Sequence, residues 1–285
     1  MLDRLTSKDY RLIGIAVVVS LLSLFVIVNY FYKAFPEASI EFKVNQKESR
    51  IIAESWLQRL SLNAEGFRHA AIFDHDDEAK TFLEKQLGAE QANNLMGSQV
   101  RLWRYSHRWY KPLQKEEYTL RISPKGEFLG FFHEVAEELE GAHLTADSAR
   151  IASQAFLSQI ARIDTASLEF VEHSQNERPK RMDHTFVWKR KGFDVQDATY
   201  RYRVQVQGAE IGAYSEFLHV PEKWSREYAK LRAKNETTGM AAGLLLLLTI
   251  IAMLVMFIVH IRHRDIRWKT ARSEERRVGK ECSSR

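Results

Sequence analysis

The chain has 285 residues, of which 45% are hydrophobic, 28% are charged and 11% are aromatic. This composition excludes a disordered or fibrous low-complexity protein. The formal net charge is +5, and the basic residues are not clustered with aromatic ones, so the sequence predicts no nucleic-acid partner. The only cysteine is Cys282, which excludes an intramolecular disulfide and a multi-cysteine metal site.

Two long apolar segments stand out along the chain. Residues 12–32 and 237–261 contain no Asp, Glu, Lys or Arg over 21 and 25 positions. About 20 helical residues cross the ~30 Å hydrocarbon core of a bilayer, so each segment is predicted to be a transmembrane helix. A cleaved signal peptide is the alternative for the first segment, but its apolar stretch exceeds the ~7–15 residues typical of a signal core. A buried core helix is the alternative for the second.

The basic residues flanking these segments predict their orientation. Lys and Arg occur before the first segment and after the second, at Arg4, Lys8, Arg11, Arg262, Arg264, Arg267 and Lys269. Under the positive-inside rule, residues 1–11 and 262–285 are cytoplasmic and the intervening region is extracytoplasmic. We therefore expect a protein of the bacterial inner (plasma) membrane, with the lipid bilayer as a partner. The composition changes abruptly at residue 273, and we expect a non-native tail from there.

The region between the apolar segments contains an internal repeat. Residues 49–60 and 149–160 align without a gap at an offset of 100. Apolar residues recur at i, i+4 and i+8 in each copy, which predicts two amphipathic helices with these apolar stripes: Ile52, Trp56 and Leu60, and Ala152, Phe156 and Ile160.

Strand-like sequence follows each predicted helix. Residues 118–122 and 200–206 alternate apolar and polar side chains, and a glycine-containing turn follows each segment. Earlier strands are predicted within 100–110 and 184–190, and residues 78–96 are predicted to be an inserted helix. The fold class is therefore α+β, with a helix-plus-antiparallel-sheet unit at 40–140 and a second at 146–221. This arrangement resembles PepSY-type extracytoplasmic domains.

Residues 222–236 are predicted to form a juxtamembrane helix ahead of the second span. Pro221 suits the start of a helix, and Trp224, Tyr228 and Leu231 recur on one helical face. Two interpretations remain open. The helix continues into the span and transmits motion, or it is an interfacial stem.

Three short motifs are candidates for a catalytic or metal-binding site. The segment HEVAE at 133–137 lacks the second histidine of a zinc-protease motif, and DHDDE at 74–78 lacks the spaced ligands and glycine of a calcium loop. The string EEYTLR at 116–121 lies on a predicted strand outside the membrane. The sequence therefore predicts no catalytic, cofactor-binding or metal-binding residues and no cofactor in this chain.

One resemblance extends over about 49–262. The segments RPKRMDHTFVW (178–188), YRYRVQVQG (200–208) and VPEKWSREYAKLRAKNET (220–237) resemble the N-terminal extracytoplasmic region of bacterial CPBP-family intramembrane proteases, relatives of the CAAX prenyl proteases. The resemblance implies that this chain is the sensory or gating part of a membrane endopeptidase. The catalytic helices of that endopeptidase are missing from this chain, and the resemblance implies them as its partners. The alternative is a complete two-span membrane protein whose external domain binds a protein or peptide ligand and signals inward.

Overall fold

The computed structural model describes residues 7–34 and 40–262, and the chain divides after Glu222 into two units. Within these ranges the α-helices are Ser7–Ala34 (α1), Gln46–Arg59 (α2), Asp77–Leu87 (α3), Ala89–Ser98 (α4), Ala146–Ala155 (α5) and Glu222–Arg262 (α6). The β-strands are Arg68–Asp74 (β1), Arg104–Tyr110 (β2), Glu117–Ile122 (β3), Phe128–Glu134 (β4), Leu168–Arg178 (β5), Arg181–Arg190 (β6), Thr199–Gln207 (β7) and Glu210–His219 (β8).

The eight strands form one antiparallel sheet in the order β1-β2-β3-β4-β8-β7-β6-β5. Each half is a helix followed by a four-stranded meander: α2 precedes β1–β4, and α5 precedes β5–β8. The predicted α+β class is confirmed. The sequence pattern suggested a sheet for each unit, whereas β4 and β8 pair and join the two meanders into a single sheet.

The pairing of β4 with β8 depends on a glycine at the seam. The ladder pairs Gly130 with Ser215 and Phe131 with Tyr214. A Cβ atom at Gly130 would lie 2.5 Å from the backbone oxygen of Tyr214, which is closer than real Cβ contacts allow. The absence of a side chain at Gly130 therefore permits the two central strands to approach.

Helices α2 and α5 bury the same positions of the repeat. The buried residues that share the offset of 100 are Ser49, Ala53 and Leu57 in the first copy and Ala149, Ser153 and Leu157 in the second. Leu157 lies just after α5, in a short π-helix (Phe156–Ile160) that also buries Phe156. In the first copy the predicted stripe lies beside this face, because Ile52, Trp56 and Leu60 are half-buried. In the second copy Ala152 and Ile160 are half-buried, but Phe156 is buried. Small residues at the buried positions let each helix backbone approach the sheet, and Trp56 then stacks on Phe128 with ring centroids 4.0 Å apart.

Three elements differ from the sequence-based prediction. The strands β1 and β5 were not predicted, and they form the two edges of the sheet. The inserted helix at 78–96 is two helices, α3 and α4, because Gly88 adopts φ +78 between them and interrupts the helical path. The DHDDE segment, which lacks the features of a calcium loop, contains the N-cap of α3: the Asp76 side chain accepts a hydrogen bond from the Ala79 N–H.

Helices α1 and α6 are long and apolar enough to cross a membrane. The candidate span Tyr10–Phe31 has a mean hydropathy of 2.7, and the most apolar window of α6 has a value of 3.0. Helix α6 is continuous over 41 residues and includes both the predicted juxtamembrane helix and the predicted second span. The tail from 273, with Cys282, lies outside the described residues.

Candidate functional site

One cavity of the region 40–221 is a polar cleft of about 560 Å³. Its walls come from the end of α4, residues 99–103, the β3–β4 hairpin and residues 40–41, with Arg190 of β6 at one side. The cations of the cleft are largely matched by acids. Lys125 Nζ lies 3.5 Å from a Glu41 carboxylate oxygen, and Arg101 Nη1 lies 3.7 Å from Glu127. The cleft is therefore suited to a polar ligand without a large net charge.

Behind one wall of this cleft lies a buried carboxylate. Glu216 of β8 accepts hydrogen bonds at Oε2 from Arg101 Nη2 (2.6 Å) and from the Tyr200 hydroxyl (2.9 Å). Its Oε1 is buried and has no hydrogen-bond partner among the described residues. Burial raises the pKa of Glu216, and the Arg101 charge opposes that rise. Burial alone would lower the pKa of Arg101, but the Glu216 charge raises it above its usual value. This network fixes Arg101 at the cleft wall.

A chain of hydrogen bonds ties the first two strands to α2. The Ser49 hydroxyl donates to the Gln46 carbonyl (3.0 Å), so Ser49 Oγ must accept from His107 Nε2 (3.0 Å). His107 Nδ1 is then an acceptor, and His69 Nε2 donates to it (3.1 Å). Burial first, and then the nearby charge of His69, lowers the pKa of His107 to about 4. The inner histidine is therefore neutral, with its proton on Nε2.

The second half contains the same kind of histidine pair. His184 Nε2 donates to the Leu144 carbonyl (2.9 Å), just before α5, and His184 Nδ1 accepts from His173 Nε2 (3.0 Å). In each half, therefore, an inner histidine on the second strand holds the start of the helix, and an outer histidine on the edge strand holds the inner one.

The Ser49–His107–His69 arrangement does not form a nucleophilic site. Ser49 and His107 are both 0% exposed, so no substrate reaches the hydroxyl. The hydroxyl proton is directed to Gln46 rather than to His107, whereas an activated serine must donate to its base. We interpret both histidine pairs as structural.

The candidate motifs HEVAE, DHDDE and EEYTLR do not form a catalytic or metal-binding site among the described residues. His133 and Glu134 end β4, and His133 Nε2 lies 3.0 Å from Glu116. Glu117–Arg121 of the EEYTLR string lies on β3, as expected. The described residues hold no group of three or more His, Cys, Asp or Glu side chains that could bind a metal ion.

Sequence reasoning did not single out the four paired histidines. The available signal was a histidine two positions before an aromatic residue, in His107-Arg-Trp109 and in His184-Thr-Phe186. This signal identifies the inner histidines only, because their partners lie on β1 and β5, which do not show a clear strand pattern.

Comparison with known proteins adds no relative: no family model, curated protein or solved structure matches this chain.

Proposed function

We propose that residues 40–221 form an extracytoplasmic sensory module that controls a membrane-embedded effector through α6. The observation that carries this proposal is the continuity of α6, which begins at Glu222, three positions after the last residue of β8. A continuous helix transmits rotation and tilt, whereas a flexible linker does not.

The dimensions of α6 fit this role. At 1.5 Å per residue its 41 residues extend about 60 Å, and the hydrocarbon core accounts for only ~30 Å of that length. The charged first part remains outside the hydrocarbon. There, the rings of Trp224 and Tyr228 stack with centroids 4.9 Å apart, one helical turn from each other. Residues 1–11 and 262–285 are cytoplasmic in this proposal, as their basic side chains favour.

We infer that the two halves of the module arose by duplication of one PepSY-like unit. Three features support this inference. The buried residues Ser49, Ala53 and Leu57 of α2 have buried counterparts at an offset of 100, in α5 and the turn after it, and each half places a helix before a four-stranded meander. In both halves the inner hairpin also carries a register shift, at Arg121/Ile122 and at Gln205/Val206.

We propose that the effector is the catalytic helix bundle of a CPBP-type intramembrane endopeptidase. The support is the resemblance of residues 178–188 and 220–237 to the region that precedes such bundles. The gene downstream of codon 272 tests this point. We expect an open frame encoding several apolar spans, with E-E-x-x-x-R inside one of them. A stop codon at that position would instead favour the two-span receptor, in which the same module signals through α6 without proteolysis.

An insertion into α6 tests the coupling. In the full-length gene product, Gly-Gly-Ser placed after Lys230 interrupts the helix between module and membrane. Coupling free energies between sites commonly correspond to about 5–150-fold effects. We therefore expect the basal rate of substrate cleavage in proteoliposomes to change by about fivefold or more.

A helical insertion of seven residues at the same place is the matched control. Seven residues add nearly two whole turns, so the helix remains continuous and its faces keep their direction to within about 20°. We expect this variant to cleave at the wild-type rate. If the Gly-Gly-Ser variant also cleaves at that rate while its module stays protease-resistant, α6 is a tether and the proposal fails.

A further inference from the structure

Arg121 of β3 is a half-buried cation, and the charges of Asp74 and Asp76 act on it without forming a close ion pair. Its side chain lies on the sheet face opposite α2, because it alternates with Leu120 and Ile122, which are fully buried toward the helix. The guanidinium stacks over the Phe132 ring at 4.5 Å. Among the described residues no carboxylate forms an ion pair with it, and its buried Nε has no hydrogen-bond partner. A half-buried guanidinium normally has an anion or acceptor beside it.

A small cavity opens beside this guanidinium. It has a volume of about 230 Å³ and is lined by Glu117, Thr119, Arg121, Phe132 and Glu134. Phe132 provides an apolar surface, and the Thr119 hydroxyl provides a polar group across from it, because the two residues are paired in the β3–β4 ladder.

The opposite end of the cavity is acidic. Glu117 is paired with Glu134 in the ladder. Glu117 accepts a hydrogen bond from Arg108 Nε at 2.9 Å, so its charge is already matched. Glu134 is exposed and forms no ion pair within the described part of the chain. Among the described residues, the cavity thus has a cation outside any close ion pair at one end and a carboxylate outside any close ion pair at the other, although Asp74 and Asp76 act on Arg121 and Glu134 acts on Arg108 at longer range.

The separation of these charges sets the length of a matching ligand. Arg121 and Glu117 are four residues apart on β3, so the backbone of Arg121 lies about 14 Å from the Glu117–Glu134 pair. The guanidinium stacks over Phe132, which lies between these positions, so the two charges are closer together than the backbone spacing. An extended tripeptide measures about 10 Å, and the two long side chains span the remainder. We infer that this cavity binds a short peptide with free termini, whose carboxylate meets Arg121 and whose ammonium group meets Glu134. The inference rests on the proposed sensory function, because it names the ligand class of the module.

Calorimetric titration of the full chain in detergent micelles tests the inference. The probes are Ala-Ala-Ala, its C-terminal amide and its N-acetyl form. Each modification removes one charge and its charge-assisted hydrogen bonds. We expect the unmodified tripeptide to bind with a Kd below about 10 mM and each modified form to bind about tenfold more weakly.

Variants of the two end residues complete the test. In Arg121→Met the free peptide and the amide should bind equally, and in Glu134→Gln the free and acetylated peptides should bind equally. Arg203→Met is the matched control, because Arg203 also stacks on a phenylalanine, Phe217, at 4.7 Å but does not line the cavity. It should bind all three peptides as the wild type does.

Three results would overturn the inference: no binding of Ala-Ala-Ala up to about 10 mM, equal binding of all three peptides, or equal weakening by Arg121→Met and Arg203→Met. Each of these leaves the coupling through α6 untouched, because the insertion experiment uses no peptide. A binding peptide combined with an ineffective insertion would conversely reject only the sensory role.

Discussion

At the scale of single residues, Arg121 combines a binding role with a cost in stability. Burial first, and then the neighbouring charge of Arg104, lowers the pKa of Arg121 to about 10, so the side chain stays charged at neutral pH in surroundings that disfavour the charge. Its stacking on Phe132 offsets part of this cost.

We therefore predict that Arg121→Met stabilises the peptide-free protein. Methionine keeps an unbranched side chain over Phe132 and removes the unmatched charge. Replacing a buried ion pair with well-packed apolar groups is neutral or stabilises a protein by about 1–4 kcal/mol, because the cost of removing charges from water is avoided. We expect a gain of about 1 kcal/mol, or a Tm higher by about 2–4 °C, measured by near-ultraviolet circular dichroism in detergent. The exposed Arg203→Met control should leave the Tm unchanged. A lower Tm for Arg121→Met would show that the guanidinium is already satisfied.

The hydrogen-bonded pair of His107 and His69 leads to a second prediction at the scale of residues, which concerns stability in acid. The pKa of His107 falls from 6.5 to about 4 on folding, so the unfolded chain binds more protons in that interval. The stabilisation from a neutral His107 is complete above pH 6.5 and is lost as the pH falls toward 4. At about 1.4 kcal/mol per pKa unit this loss amounts to about 3 kcal/mol. The charges of Arg50 and Glu54 on α2 act on His107 in opposite directions.

Denaturant unfolding at several pH values measures this loss. We expect His107→Gln, which keeps a donor for Ser49 and an acceptor for His69, to remove most of the slope contributed by His107 between pH 6.5 and 4. His69 and His173 retain their own slope, because burial lowers the pKa of each of them in the same direction. Parallel slopes for wild type and variant would mean that folding does not change the pKa of His107.

At the scale of elements, prediction succeeded where side-chain periodicity is strong. The helices α2 and α5 follow from their apolar spacing, and α2 also has a capping box, in which Asn45 accepts from the Glu48 N–H and Glu48 accepts from the Asn45 N–H. The inner strands β3 and β7 alternate fully between buried and less buried residues. Their pattern was visible because one face packs against helices.

The edge strands were missed for a physical reason. An edge strand has one neighbouring strand only, and its burial pattern is correspondingly weak. β1 has consecutive alanines, and its Ile72 is 61% exposed; β5 is polar over most of its length. The helix partners of the sheet do not cover these strands enough to impose an apolar alternation. The histidine pairs could not be predicted either, because each pair depends on the position of such an edge strand.

At the scale of the whole chain, the sequence did not determine how the two halves of the sheet join. A repeat predicts two similar halves and leaves their contact open. The contact here is a ladder of three residue pairs between β4 and β8, which includes Phe132 opposite Ala213. Hydrogen bonding between backbones does not require particular side chains, so the need for a glycine at Gly130 is the one sequence signal of this pairing. This signal can be understood only when β8 is known to pair with β4.

The proposed orientation of the chain in the membrane gives the last prediction. Basic residues flank both apolar helices on the outer sides of the sequence, so residues 40–221 should face the outside of the cell. In a Cys282→Ser background, Leu113→Cys and Ser7→Cys place single thiols on either side of α1. Leu113 is fully exposed between β2 and β3, and Ser7 is exposed at the start of α1. A membrane-impermeant maleimide should label position 113 in intact spheroplasts and position 7 only after permeabilisation. Labelling at position 7 alone in intact spheroplasts would reverse the orientation. Equal labelling at both positions before permeabilisation would show that α1 does not cross the membrane. Residues 40–221 would then not be separated from residues 1–11 by the bilayer, and the proposed sensing of external ligands through α6 would fail.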